Sequence, residues 1–508
     1  MKSQLSLGRC FGMLSVVLLA IFFGLIIALS APTAARFALV LMLIIGILVA
    51  WLMPDTGRSA STVAWMFLLF GFVTIVWPRL VVLKAGGLPA LNPEKLAFVA
   101  LIGVWVWTVM TSSVVRTGLK QRMQHFKPLL WALALLVVWR IATAFVGHPG
   151  GIYVGLKIAF TELLGFYLML LIGLSVWQKP SDVRPFIWAV VLAGLVVCLM
   201  GVVELRVSHN LFSKFVSLDE DLSGRLVEAA REKFRSGKYR VQAGFEHPLV
   251  LAEFLVLALP CAIYLLVSSR RWLVKAGMVL TALLFCAIAY KTDSRAGLAM
   301  MALMLLLAAM LFAYRSFRVD KSIVGVIIGL LVPALLIALP LLVSLMFGLV
   351  EGGGATANAS TSARLFMLQR GIPLVFDNPL VGFGVGQGGA QVGYVLFSGL
   401  YSIDNHYLGL ALDSGLPALL AYLFAMFWSG WRLFRLLRDP GSEDGALAIC
   451  LFLALVGFCG MRAILSITTN TWLLFALMAA MGTLMTGRVT APVASARALT
   501  RRPLRGHI

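Results

Sequence analysis

The chain has 508 residues, of which 61% are hydrophobic and 12% charged, and its mean hydropathy is +0.97. A chain this apolar is not a soluble enzyme; it belongs in a membrane. Its 42 Lys and Arg against 21 Asp and Glu leave a net charge of +21, which in a soluble protein would suggest nucleic acid, but here no nucleic acid is expected and the charge reports topology.

A spanning helix needs about 20 apolar residues. Such runs lie near 11–30, 36–53, 63–83, 94–112, 128–146, 156–177 and 185–204, then 247–267, 272–291, 295–314, 323–347, 406–431, 446–465 and 467–486. The expected fold is all-α, a polytopic integral membrane helix bundle of about 14 transmembrane helices. The first run ends near Ala31-Pro32-Thr33-Ala34-Ala35, which has the small residues of a signal-peptide cleavage site. It is nevertheless long enough to span and is read as the first span.

Basic residues orient the bundle. With both termini inside, eight inner segments collect 23 of the 42 Lys and Arg: Lys2 and Arg9, Arg58, Arg116 to Lys127, Lys179 and Arg184, Arg270 to Lys275, Arg315 to Lys321, Arg432 to Arg438, and the tail from Arg488 to Arg505. The short outer loops carry only a scattering, such as Arg36, Lys84 and Lys291. This is the positive-inside pattern. It divides the chain into an N-terminal bundle of about seven spans (1–204), a first long outer loop (205–246), central transmembrane helices (247–347), a second long outer loop (348–405), C-terminal transmembrane helices (406–486) and a basic cytoplasmic tail (487–508). The two long loops are expected to form a cap, since long loops commonly carry function.

In the first loop, Leu226, Val227, Ala230 and Phe234 recur at near-helical spacing within the charged stretch Arg225 to Arg240, which predicts a short surface helix. The second opens with Gly352-Gly353-Gly354 and an Ala/Thr/Ser run, which predicts flexible chain before an ordered piece. The six cysteines, Cys10, Cys198, Cys261, Cys286, Cys450 and Cys459, all fall in apolar stretches with no metal-binding spacing, so neither disulfides nor zinc are expected.

Several ionisable residues fall inside or at the ends of predicted spans: Arg140, Lys157, Glu162, Glu253, Lys291, Asp293, Arg295, Asp413 and Arg462. Each alone is explained by mutual pairing or by snorkelling to the interface. Their shared depth in the outer half suits a charged, lipid-attached substrate, and no inner chain of carboxylates or histidines continues a proton path.

Three motifs stand out. Arg240-Val241-Gln242-Ala243-Gly244-Phe245-Glu246-His247-Pro248 sets an Arg and a turn just before a span, where a guanidinium can grip phosphate or simply anchor the span at the interface. Arg364 and Arg370 flank a short amphipathic piece leading to Asn378-Pro379-Leu380-Val381-Gly382-Phe383-Gly384-Val385-Gly386. No Lys-Ser/Thr follows these glycines and no strand precedes them, so they are turn glycines rather than a nucleotide loop. Asp404-Asn405-His406-Tyr407-Leu408, then Asp413-Ser414-Gly415, enters a span from outside, and Asp or Asn there is also an ordinary helix cap.

In this order, over roughly residues 240–430, the motifs resemble the O-antigen ligase and O-antigen polymerase superfamily of bacterial inner-membrane glycosyltransferases. The resemblance implies transfer of a glycan from an undecaprenyl-diphosphate carrier to an acceptor hydroxyl on the periplasmic face, with no metal or nucleotide cofactor. It also implies a flippase and chain-length regulator proteins as partners, besides the lipid bilayer. By motif position, Arg240 and Arg364 engage the diphosphate, Arg370 assists, and Asn405 and Tyr407 support the site. Asp404 takes the place that a His base has in the ligases, with His406 two residues away. That departure favours a polysaccharide polymerase, which joins lipid-linked repeat units, over a ligase that transfers to lipid A core. A transporter or flippase is a third reading, disfavoured because no two halves of the chain show matched Gly/Pro-interrupted spans.

Overall fold

The computed structural model describes residues 55, 57, 59–81, 92–147, 152–213, 233–235, 237–319, 354–396, 399–437 and 444–499. Within them the chain is mostly helical. In chain order the helices are α1 (Ser61–Val76), α2 (Pro93–Thr111), α3 (Ser113–His125), α4 (Lys127–Thr143), α5 (Ile152–Val176), α6 (Pro180–Val207), α7 (Pro248–Ser268), α8 (Trp272–Lys291), α9 (Arg295–Val319), α10 (Gly354–Asp377), α11 (Gly388–Val392), α12 (His406–Leu437), α13 (Gly445–Arg462) and α14 (Thr471–Leu499).

Eight of these, α2, α5 to α9, α12 and α13, are long and apolar enough to cross a membrane. Each coincides with an expected span. Helices α3 and α4 meet at 91° and would make a ninth span if the bent pair were one. The predicted spans at 63–83 and 467–486 correspond to α1 and to the apolar part of α14, Thr471–Met485, both shorter than a full crossing. The predicted spans 11–30, 36–53 and 323–347, Cys10 and the residues 214–232 lie outside the described residues.

Helix α7 is the centre of the bundle. It is apolar all round apart from Glu253, and nearly every residue from Pro248 to Leu265 is buried, the signature of a helix enclosed by others. It packs against α6, α8, α9 and α13, while α12 packs against α4, α10 and α13. Close approach depends on small residues: a Cβ on Gly457 of α13 would lie 2.6 Å from a methyl of Val256 on α7. The exposed apolar side chains, such as Leu280 and Leu283 on α8 and Leu420 and Phe427 on α12, suit a lipid-facing surface.

The expectations for the long loops meet different outcomes. Residues 225–232 of the expected surface helix lie outside the described residues, and the end of that stretch is a hairpin: β1 (Phe234–Arg235) pairs antiparallel with β2 (Lys238–Tyr239). Gly237, at φ +74°, makes the turn that a helix would not allow, and the Phe234 and Tyr239 rings, 5.4 Å apart, hold the pairing across the strands. The Ala/Thr/Ser run is not loose chain, because α10 begins at Gly354 and continues through Arg364 and Arg370 to Asp377.

The Asn-Pro-Leu-x-Gly-x-Gly motif has a definite task in the fold. At Gly415 (φ 75°, ψ −179°) the helical path of α12 breaks, and Pro417 follows. Pro417 has no N–H for the Asp413 carbonyl, and the Leu416 N–H turns away to donate to Pro379 O at 2.7 Å. The two carbonyls left over are satisfied by the motif: Phe383 N–H donates to Leu412 O (2.8 Å) and Gly384 N–H to Asp413 O (3.0 Å). A Cβ on Gly415 would sit 2.1 Å from Leu380 O, so the break and the docked segment require each other. The Asp413 carboxylate accepts from Gly388 N–H (2.9 Å), and the Trp139 indole donates to Ser414 O (2.9 Å).

Candidate functional site

The turn that carries Arg240 is built around a buried carboxylate. Glu204, near the end of α6, accepts from the Tyr239 hydroxyl and from the backbone N–H groups of Gln242 and Ala243. These bonds hold Ala243 at φ +49°, and Val241 N–H donates to Lys291 O at 3.2 Å. Arg240 is buried against this frame and donates from Nε to Thr292 O (2.9 Å).

Around it lies a concentration of cations. Arg240 interacts with Arg235 and Arg364, with Asp293 opposing them, and burial with this repulsion depresses its guanidinium to about 10. His247 feels Arg240, Lys233, Arg235 and Arg364, and burial followed by these cations holds its imidazole well below its usual range. The ring is therefore neutral near pH 7. Its Nδ1 accepts from Leu249 N–H (3.1 Å), which places the proton on Nε2 and makes that atom a donor.

Asp404 faces the same cluster. Its Oδ2 is 3.6 Å from Arg364 Nε, and the Ser402 hydroxyl donates to Oδ1 (3.3 Å). Burial raises the carboxyl above its ordinary range, with Arg364 and Ser402 pulling the other way. Asp404 and His247 line one cavity of about 960 Å³, together with Glu246, Lys95, Lys157 and Trp472. Arg240 and Arg364 touch the site through their neighbours and are not among its lining residues.

The other sequence candidates separate from this group. Asn405 is the helix cap: its Oδ1 accepts from Leu408 N–H (3.0 Å). Tyr407 donates its hydroxyl to Cys459 O (2.7 Å). His406, two residues after Asp404 at the start of a helix, points elsewhere, with its ring edge-on to Tyr422 at 5.1 Å. It lines a neighbouring cavity of about 450 Å³ with Arg140, Glu162 and Asp413. The two cavities share Tyr401, Ile403 and Thr468 as walls. Arg370 follows Arg364 by six residues on α10, a rotation of about 240° that puts it on another face, where its guanidinium lies 6.0 Å from the Phe366 ring centroid.

Five of the intramembrane charges pair with one another. Arg140 bonds Glu162 (Nε to Oε2, 3.0 Å) and Asp413 (Nη1 to Oδ2, 3.3 Å), and Arg462 forms an ion pair with Glu253 at 2.9 Å with both side chains fully buried. A π-helical turn at Leu163–Tyr167 follows Glu162 directly, one of the local irregularities that often accompany polar sites. Among the described residues no group of three or more His, Cys, Asp or Glu side chains could hold a metal ion.

Sequence reasoning missed His247, Lys233 and Arg235. The adjoining His-Pro was visible, but only the folded hairpin carries Lys233 and Arg235 to it.

A family model described as O-antigen ligase matches residues 279–423. The matched segment runs from within α8 to within α12 and includes Arg364, the Asn-Pro-Leu-x-Gly-x-Gly motif, Asp404 and Gly415, but not Arg240 or His247. No curated protein matches the chain. Together with the membrane-spanning helices, the match supports a multi-pass membrane enzyme similar to the superfamily of O-antigen ligases and polymerases.

Proposed function

We propose that the protein is a polysaccharide polymerase of the bacterial inner membrane, with both termini cytoplasmic. It moves a glycan from an undecaprenyl-diphosphate carrier to the hydroxyl of a lipid-linked repeat unit on the periplasmic face. The observation that carries this reading is the convergence of Arg235, Arg240 and Arg364 on His247, opposite the Asp404 carboxylate, at a cavity among membrane-spanning helices.

In this reading the acceptor oxygen attacks the anomeric carbon, its proton passes to Asp404, and the bond to the diphosphate breaks. Asp404 is suited to the task because burial raises its basicity while Arg364 beside it favours the carboxylate form. Negative charge grows on the departing diphosphate, where the Nε2–H of His247 on the cavity wall donates to it and Arg240 and Arg364 behind that wall add positive potential. A single displacement inverts the anomeric configuration. The flippase supplies the carrier, and a chain-length regulator acts on the product.

A second reading, compatible with the family description, is that the same site serves a ligase and the acceptor is lipid A core. Purified protein supplied with lipid-linked repeat units alone decides between them. A ladder of lengthening products supports the polymerase. Transfer of one glycan to lipid A core, without a ladder, establishes the ligase. Substrate crossing proteoliposomes with no new glycosidic bond would overturn both in favour of a transporter.

A further inference from the structure

Another cavity, lined by four arginines, lies at the other end of the bundle. Helix α7 begins beside the Arg240 turn and ends at Ser268; α8 runs back from Trp272 to Lys291, and α6, α9 and α13 also run between the two ends. The 21 residues of α7 separate the ends by about 32 Å at about 1.5 Å per residue, the thickness of a bilayer's hydrocarbon core. The far cavity, of about 1160 Å³, is lined by Arg184, Arg270, Arg271 and Arg315, with Asp444 the one carboxylate among its described lining residues. By the distribution of basic residues it faces the cytoplasm.

We propose that this cavity binds the phosphate of an anionic glycerophospholipid. Three observations converge. Arginine forks suit phosphate oxygens. The first turns of α6 (Pro180, Ser181) and α13 (Ala446), and the residue before α8 (Arg271), also line the cavity, so three helix N-termini add partial positive charge. The wall also continues onto lipid-facing surface: Val267 lines the cavity and is 47% exposed, and Trp272 and Leu273 stand 73% and 66% exposed beside Arg271. A soluble phosphate has no use for that apolar rim, whereas acyl chains lie along it and Trp favours the interfacial depth.

The test uses the full chain, purified and delipidated in detergent, with phosphatidylglycerol binding followed by native mass spectrometry and by the rise in Tm. Wild type binds phosphatidylglycerol in preference to phosphatidylcholine, and millimolar inorganic phosphate does not displace it. Arg270→Ala with Arg271→Ala weakens binding at least about tenfold. Arg432→Ala with Arg435→Ala, an equal loss of charge near the same end of α12, changes it less than about twofold. Arg184→Gln follows the first pair and serves if that pair does not purify folded. Equal loss in the two double variants would reduce the effect to general surface charge. Displacement by inorganic phosphate would mark a soluble-anion site, and equal binding of phosphatidylcholine would remove the phosphate specificity; each of these overturns the proposal.

Discussion

The charges in the bundle and the charges at its Arg240 end are arranged on different plans. Arg462 is matched by Glu253, which also accepts from the Asn470 amide at 3.0 Å, and Arg140 is matched by both Glu162 and Asp413. Around His247, by contrast, Arg235, Arg240, Arg364 and Lys233 share Asp293 and Asp404. The matched arginines tie helices together. The clustered ones repel one another, and an incoming anion would relieve that repulsion, so the first plan suits the scaffold and the second suits the binding role proposed above.

The contrast breaks most visibly at Glu253. Glu253→Ala leaves Arg462 as a lone buried cation and should destabilise the protein by about 3–5 kcal/mol, read as a collapse of Tm or loss of folded protein in detergent. At the other plan the effect reverses. Arg240→Ala and Arg364→Ala should keep the wild-type Tm or raise it slightly, because each relieves repulsion, yet cost about 10²- to 10³-fold in transfer rate. A large drop in Tm for Arg240→Ala would place it with the scaffold charges.

Gly415→Ala sits between these extremes. Positive φ and collision with Leu380 O should lower stability by about 2 kcal/mol, and activity should fall with it, since Asp404 enters on the same segment. The smallest effect is electrostatic. Transfer should fail as pH drops through the raised Asp404 pKa, because the base must be ionised. Arg364→Gln removes the cation that lowers this pKa, so the acid limb of its residual activity should move to higher pH, whereas Arg364→Lys should leave it nearly in place. His406→Ala, facing the Arg140 cavity, should leave the acid limb unmoved; abolition of activity by this variant alone would transfer the base to His406.

Spans such as α7 and α13 are legible because nothing but a buried or lipid-bathed helix tolerates about 20 apolar residues in a row. The hairpin at Phe234 to Tyr239 is not, because two-residue strands have no period to read. Arg364 and Asp404 are visible as motif residues, but their contact joins positions 40 apart in the chain, and that of Arg140 with Asp413 joins positions 273 apart. The Asn-Pro-Leu-x-Gly-x-Gly motif was legible as a pattern while its reason was not. Only the break at Gly415 reveals two carbonyls in need of donors.

That break also decides which side of the site can give way. Arg364 stands on α10, whose chain leads straight into the segment docked on the broken helix, and Asp404 enters that same helix. The two residues are thus opposite ends of one clasp, closed by the bonds to Leu412, Asp413 and Pro379. Their spacing is a property of the clasp and is insulated from shifts among the spans. In the proposed reaction, admitting a bulky glycan would therefore fall to the opposite jaw, the Arg240 turn with its small hairpin, which rests on the end of α8 through Lys291 and Thr292.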